Sequence, residues 1–205
     1  MPNQTESLSV REAAESRRSI RRFAPGAVPE EDLREIIRVA GLAPSAWNAQ
    51  PWRFIVVRDP ELKAQLAVAA NGQRQILSAP VVIVVYADIR DVLAHVDEII
   101  HPTATSDRRA STSSSIARFF ASKTTSEQAA WANAQSNIAL GFLLLAAQSL
   151  GYATSPMLGF DAVKVKEVLG LPADVAVTAL VALGVADEQG RAHHRHPTER
   201  IATFR

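Results

Sequence analysis

Four arginines fall within six residues, Arg17-Arg18-Ser19-Ile20-Arg21-Arg22. Where a helix end runs into an extended segment, alternate side chains turn to one side, so Ser19 and Arg21 can face one ligand while Arg17 reaches it from the last helical turn. Guanidinium forks supply paired donors that match a phosphate monoester, which carries about −1.5 to −2 charges near neutral pH. The competing interpretation is a solvated basic face paired with Glu12 and Glu15. A second constellation, Ala43-Pro44-Ser45-Ala46-Trp47-Asn48-Ala49-Gln50-Pro51-Trp52-Arg53-Phe54, has two prolines to fix its backbone. Its Ser45, Asn48 and Gln50 offer donors and acceptors in a segment too polar to be core. Such pre-organised loops bind ligands; the alternative is an ordinary structured loop anchored by Trp52. His193, His194 and His196 could ligate a metal, but Arg191 and Arg195 beside them oppose a bound cation, so no metal site is expected. His95, Asp97 and His101 are a weaker set, read as surface residues.

Other chemistries lack their motifs. Neither Gly-x-Gly-x-x-Gly nor Gly-x-x-x-x-Gly-Lys occurs, so no glycine cradle for phosphate is expected, and there is no Gly-x-Ser-x-Gly elbow or His-Glu-x-x-His. The chain has no cysteine, which excludes thiol nucleophiles, iron–sulfur clusters and disulfide scaffolds together; redox chemistry would need a cofactor. Lys plus Arg number 22 against 21 Asp plus Glu, so no overall field steers the molecule to nucleic acid or to an anionic membrane, and any basic site is local. The polar, acidic start does not resemble a secretory signal, and the most apolar stretch, Ile138 to Ala147, is half of the roughly 20 residues a span requires. The expectation is a cytoplasmic protein without a membrane or nucleic-acid partner.

The elements that must position these residues can be read in order. Ser9-Val10-Arg11-Glu12 fits a capping box, opening a first helix to about Arg17. Glu30, Glu31 and Asp32 suit the start of a second, with Leu33, Ile36, Ile37 and Ala40 on one face and Gly41 at its end. Phe54–Val57 reads as a strand, followed by an Asp59 cap and a Pro60 first turn for a third helix. Val81–Ala87 and Val175–Val185 are continuous apolar runs, which suggest strands of a sheet covered on both faces. Glu127–Leu150 reads as a long helix, apolar nearly all round in its second half, expected at the centre of the molecule or at a subunit contact. Residues 103–126 include 12 Ser or Thr in 24 and read as a mobile loop or lid, with Phe119 and Phe120 as an apolar underside; a plain disordered connection is the alternative. The 205 residues suit one domain.

Taken in order, RRSIRRF, APSAWNAQPWRF, APVVIVV, the long apolar helix, SPMLGFD and the terminal HHRHP resemble the FMN-dependent nitroreductase family over nearly the whole chain. The resemblance implies an α+β fold with a central, mainly antiparallel sheet surrounded by helices, in an interlocked homodimer with FMN at the interface. It implies that Arg17, Ser19 and Arg21, with Arg18 less directly, meet the FMN phosphate or ribityl chain, and that Arg195 closes this site from the other end of the chain. Pro44, Ser45 and Asn48 would reach the flavin from the partner subunit. Asn71 and Gln75 match the positions at the pyrimidine edge, and the backbone around Pro156, Leu158 and Gly159 the positions near flavin N5. Two departures stand out. Leu158 replaces the Glu or Gly of many members, and Trp47 stands where smaller polar residues are common, so its indole narrows the pocket or packs at the dimer seam. Trp47, Phe119 and Phe120 are the expected substrate-pocket residues.

The implied activity is NAD(P)H-dependent reduction of an electron-poor small molecule such as a nitroaromatic or quinone, by ping-pong hydride transfer, with chemistry carried by flavin and no side chain as catalyst. Alternatives are a specialised flavin enzyme of the same fold (dehalogenating, flavin-fragmenting or ring-oxidising), a non-catalytic flavin-binding protein, and a basic protein-binding module.

Overall fold

The computed structural model describes residues 8–205. Helix α1 (Val10–Ser16) opens on the expected capping box: Ser9 Oγ accepts from the Glu12 N–H, and the Glu12 carboxylate accepts from the Ser9 N–H at 2.8 Å. Three acidic residues in the first turn open α2 (Glu30–Ala40), which buries Leu33, Ile36 and Ala40. A short 3-10 turn, Ala46–Asn48, precedes β1 (Trp52–Val57). Asp59 caps α3 (Pro60–Ala69), its carboxylate accepting from the Leu62 N–H at 2.7 Å. Then follow α4 (Arg74–Ser78), β2 (Val81–Ala87), α5 (Ile89–Ala94), α6 (Val96–Ile99), α7 (Ser106–Ala121), α8 (Thr125–Ser149), β3 (Ala153–Met157), α9 (Ala162–Leu169), β4 (Ala176–Gly184) and α10 (Thr198–Ile201).

The four strands form one antiparallel sheet in the order β1-β2-β4-β3. Side chains alternate across its two central strands. Val82, Val84, Leu180 and Ala182 face α3, α4 and α9, meeting Leu66, Ile76 and Val165. Ile83, Val85, Val181 and Leu183 face α2 and α8, meeting Ile36, Leu143 and Ala147. Because both faces are covered, the strands read as unbroken apolar runs although their neighbours are antiparallel. This is the expected α+β architecture. A third cluster, around Ile89, Val92, Ile116 and Phe120, packs α5, α6 and α7 against Ala132 at the start of α8.

Strand β3 was not expected from local pattern, because Pro156 interrupts it; an edge strand tolerates proline, since one of its sides needs no ladder donor. The expectation of a loop across residues 103–126 is corrected. Sixteen of these residues form α7. Thr105 caps it by accepting from the Arg108 N–H, while Ser111 and Ser115 donate back to the carbonyls of Arg108 and Ser111 at 3.0 and 2.8 Å. Burial of Ile116 and Phe120 then outweighs the weak helix propensity of Ser and Thr. Helix α8 packs on the sheet through Ala139, Leu143 and Ala147, yet leaves Ile138 (40% exposed) and Phe142 (37% exposed) on its outer side. Among the described residues, no helix is long and apolar enough to cross a membrane.

Candidate flavin site

Three groups of predicted residues occupy two edges of the sheet. The first is the arginine segment, which leaves α1 at Arg17 and runs beside β3: Ser19 bridges Thr154 in parallel, and the Ile20 N–H donates to Thr154 O at 3.1 Å. From the other direction the chain beyond β4 is tied to the same segment. The Arg21 N–H donates to a Glu188 carboxylate oxygen at 2.6 Å, and the Arg22 guanidinium pairs with Asp187 at 3.0 Å. Arg22 is therefore a structural tether, whereas Arg17, Arg18, Ser19 and Arg21 join Arg191, His193 and Arg195 around a depression of about 170 Å³ that, among the described residues, no carboxylate lines.

The electrostatics of this depression are one-sided. Arg17 Nη1 is buried without a hydrogen-bond partner among the described residues. Its guanidinium is held below its ordinary value first by burial and then by the positive charges of Arg195 and Arg18. His193 is pushed below the ordinary imidazole value by desolvation and by Arg18, Arg195 and Arg17. Arg18 folds back, donating to the carbonyls of Glu15 and Arg17 at 2.7 and 2.9 Å. Gly190 lets the terminal segment lie against it: a Cβ there would overlap Arg18 Cβ and come within 2.8 Å of Arg18 Cγ. A buried unsatisfied guanidinium nitrogen beside further cations is costly unless an anion completes it, so this donor set fits a phosphate. Arg191 and His193 were not expected at the phosphate: the sequence offered His193 as a candidate metal ligand and Arg191 as a charge opposing that metal.

The second group is a patch of amides at the far end of β3. Asn71 Nδ2 and Gln73 Nε2 both donate to Gly159 O at 3.0 Å, and Gln75 Nε2 donates to Gln73 Oε1 at 2.9 Å. Asn71 adopts the left-handed conformation (φ 58°) that asparagine tolerates well, followed by Gly72 (φ 72°), which turns the chain from α3 towards α4. Gln73, absent from the predicted set, bridges Gln75 to Gly159 O, the carbonyl that Asn71 also meets directly. Pro156 lies in β3, and Leu158 is 70% exposed beside the patch. Ser78 Oγ donates to Arg21 O at 3.3 Å, which couples α4 to the arginine segment.

The third group lies across the sheet, beside β1. Ser45 Oγ accepts from the Gln50 N–H at 2.9 Å, Gln135 Oε1 accepts from the Ala46 N–H at 3.0 Å, and Asn48 Nδ2 donates to Ile99 O at 3.2 Å. Trp47, Asn48 and Gln50 all have positive φ; asparagine tolerates it, but at Trp47 and Gln50 it is a strain of roughly 1–3 kcal/mol each, and it is unusual for tryptophan. Ring contacts offset it: Trp47 lies 4.9 Å from Phe119 and 6.0 Å from Trp131 between ring centroids. Phe120 is buried and Phe119 meets Trp47 edge-on, so of the three expected pocket aromatics only Trp47 lines the adjoining cavity. Pro44, Ser45 and Asn48 sit at the β1 edge, three strand spacings, about 14 Å at roughly 4.8 Å each, from the β3 edge. One chain does not bring them to the arginines.

A family model described as "Nitroreductase family" matches residues 14–185. The chain belongs to this family. It is 50% identical over 198 residues to a Thermus thermophilus protein named "NADH dehydrogenase", covering 97% of each chain. It is 31% identical to YdgI of Bacillus subtilis, named as an NAD(P)H nitroreductase, covering 95% of this chain and 96% of the relative. A protein of Exiguobacterium sibiricum, described as a nitroreductase and solved in complex with FMN, superposes with a TM-score of 0.84 at 27% identity, covering 98% of this chain and 99% of that one.

Proposed function

We propose that this nitroreductase-family chain is a single-domain FMN-dependent oxidoreductase that uses NAD(P)H to reduce electron-poor acceptors such as nitroaromatics and quinones. Arg17 Nη1, buried without a hydrogen-bond partner among the described residues beside a depression that no described carboxylate lines, carries the proposal, because it calls for an anion of the size and charge of a phosphate. The relatives' names and the FMN-bound neighbour support the same reading.

In this account Arg17, Ser19, Arg21 and Arg195 hold the phosphate, with Arg18, Arg191 and His193 completing the positive field. Strand β3 leads from the phosphate end towards the amide patch, about 10 Å from Thr154 to Met157 at roughly 3.3 Å per residue, which suits an extended ribityl chain. Asn71, Gln73 and Gln75 fix the polar edge of the ring, and the main chain at Pro156, Leu158 and Gly159 borders its reactive centre. Leu158 offers no carboxylate there, so it contributes apolar cover and no proton. FMN supplies, when bound, the two-electron chemistry that takes hydride from NAD(P)H and passes electrons to the acceptor. The protein's own tasks are to bind, orient and shield, which is why no acid–base side chain is needed.

Two copies complete each site: Pro44, Ser45 and Asn48 of one chain reach the flavin held by the arginines of the other, and the apolar outer stripe of α8 at Ile138 and Phe142 lies in the seam. Helix α7 covers the acceptor side. Reductant and acceptor then use one pocket in turn, which predicts ping-pong kinetics. The test is the absorbance spectrum of the purified protein with and without added FMN, followed by NADH or NADPH oxidation with a quinone. A protein that stays colourless in excess FMN contradicts the proposal.

A further inference from the structure

Beside the strained turn at Trp47 lies a cavity of about 630 Å³ whose far wall is α7. Arg108, Ser111, Thr112 and Ser115 line it, at spacings of three, four and seven residues that put them on one helix face. Trp47, Ile99, Ile100 and Ala104 supply the apolar surface, His101 also borders it, and no carboxylate lines it.

The hydrogen bonds within this wall decide what remains for a ligand. Arg109 is committed, donating to the carbonyls of His101 and Pro102 at 3.2 and 3.1 Å. Arg108 has, among the described residues, no side-chain hydrogen bond or ion pair, so its guanidinium is the cavity's uncommitted cation. His101 Nδ1 is engaged by Thr103, through Oγ1 at 2.7 Å and the N–H at 3.3 Å. Ser111 and Ser115 use their hydroxyl protons on helix carbonyls and can only accept. The cavity thus pairs an aromatic and aliphatic surface with a cation.

We propose that this cavity selects aromatic acceptors bearing an anionic substituent, a carboxylate or sulfonate on a nitroarene or quinone ring, with Arg108 pairing the anion and Trp47 flanking the ring. Turnover of such acceptors rests on the proposed function; binding does not. The same anion chemistry could come from the diphosphate of the nicotinamide dinucleotide, and the experiment separates the two.

The probes are 4-nitrobenzoate and its neutral counterpart 4-nitrobenzamide, measured by equilibrium dialysis against the full-length, FMN-supplemented protein without reductant. The benzoate should bind about tenfold more tightly, the scale of one charge-assisted hydrogen bond at a half-open site. Arg108→Gln should erase that preference while leaving benzamide binding unchanged, and raising salt from about 0.05 to 0.5 M should shrink it in the wild type only. Equal binding of the two probes, or a preference that survives Arg108→Gln, overturns the proposal. So does an Arg108→Gln protein that keeps the preference in rapid-mixing experiments but is reduced more slowly by NADH, since Arg108 would then serve the dinucleotide. A binding preference that follows Arg108 in a protein that turns over neither compound supports the ligand class and counts against the oxidoreductase reading instead.

Discussion

Replacing Arg17 with methionine should have opposite effects on the empty and the loaded protein. In the empty protein the buried Nη1 has no partner and the guanidinium faces the charges of Arg195 and Arg18. Removing an unsatisfied buried group recovers about 1–3 kcal/mol, and a half-buried side chain belongs at the lower end, near 1 kcal/mol. For a chain of this size that raises the apo melting temperature by about 2–4 °C. With FMN at one hundred times its dissociation constant, the wild type gains about 2.7 kcal/mol, a rise of about 5–11 °C at roughly 2–4 °C per kcal/mol. Losing charge-assisted bonds worth about 2 kcal/mol weakens FMN roughly 30-fold. At the same FMN concentration the variant then gains only about 0.9 kcal/mol, or about 2–4 °C. Thermal unfolding of both proteins with and without FMN reads all four states. A variant whose apo form melts several degrees lower, with the FMN-induced rise intact, would refute the assignment of Arg17 to an anion site.

Gln73→Ala removes the bridge between Gln75 and Gly159 and should weaken FMN by about 0.5–1.5 kcal/mol, read by titration of flavin fluorescence. Gly190→Ala forces a Cβ into Arg18 and should lower the melting temperature by a few degrees, roughly 1–3 kcal/mol of overpacking, and weaken FMN as the terminal segment lifts; unchanged affinity would remove that segment from the site. Mixing an Arg17→Met chain with an Asn48→Ala chain, under conditions that exchange subunits, should restore flavin binding to half of the sites in mixed dimers, because one site then draws both residues intact; no recovery would mean that the site is built within one chain. His95 sits between α5 and α6 with its imidazole value raised chiefly by donation to Asp91 O at 2.8 Å, so its contribution is complete below about pH 6.5 and is lost as pH climbs through the raised folded value. Asp91 is lowered chiefly by its hydrogen bond from Arg53, so its contribution holds above about pH 3.9 and is lost as pH falls through the lowered value. Hydrogen exchange over α5 and α6, corrected for intrinsic rate, should therefore show more protection at pH 5.5 than at pH 8, and His95→Gln should abolish the difference.

How much of this could be read from sequence depended on how local the cause was. The Ser9–Glu12 capping box, the Asp59-Pro60 start and the central strands declare themselves within a few residues. Helix α8 begins at Thr125 and not Glu127 because Thr124 and Glu127 form a second capping box. Strand β3 depends on its edge position, and α7 on burial of Ile116 and Phe120 beneath a run of serines; both are decided by distant partners, which local propensity does not register. Among site residues, the arginine cluster was legible from charge spacing, but its division into tether (Arg22) and cradle (Arg17) depended on Asp187 and Arg195, more than 160 positions away. Gln73 is not legible in the sequence because its role is to bridge neighbours, and the strain at Trp47 and Gln50 has no signature in residue type alone.

The most direct measurement compares FMN with riboflavin, which lacks only the phosphate, by fluorescence titration of the apo protein. Two charge-assisted bonds to the phosphate, about 1.5 kcal/mol each, predict that FMN binds at least roughly 100-fold more tightly, and that Arg17→Met removes most of this preference. Equal affinity for the two flavins would contradict the account at its foundation.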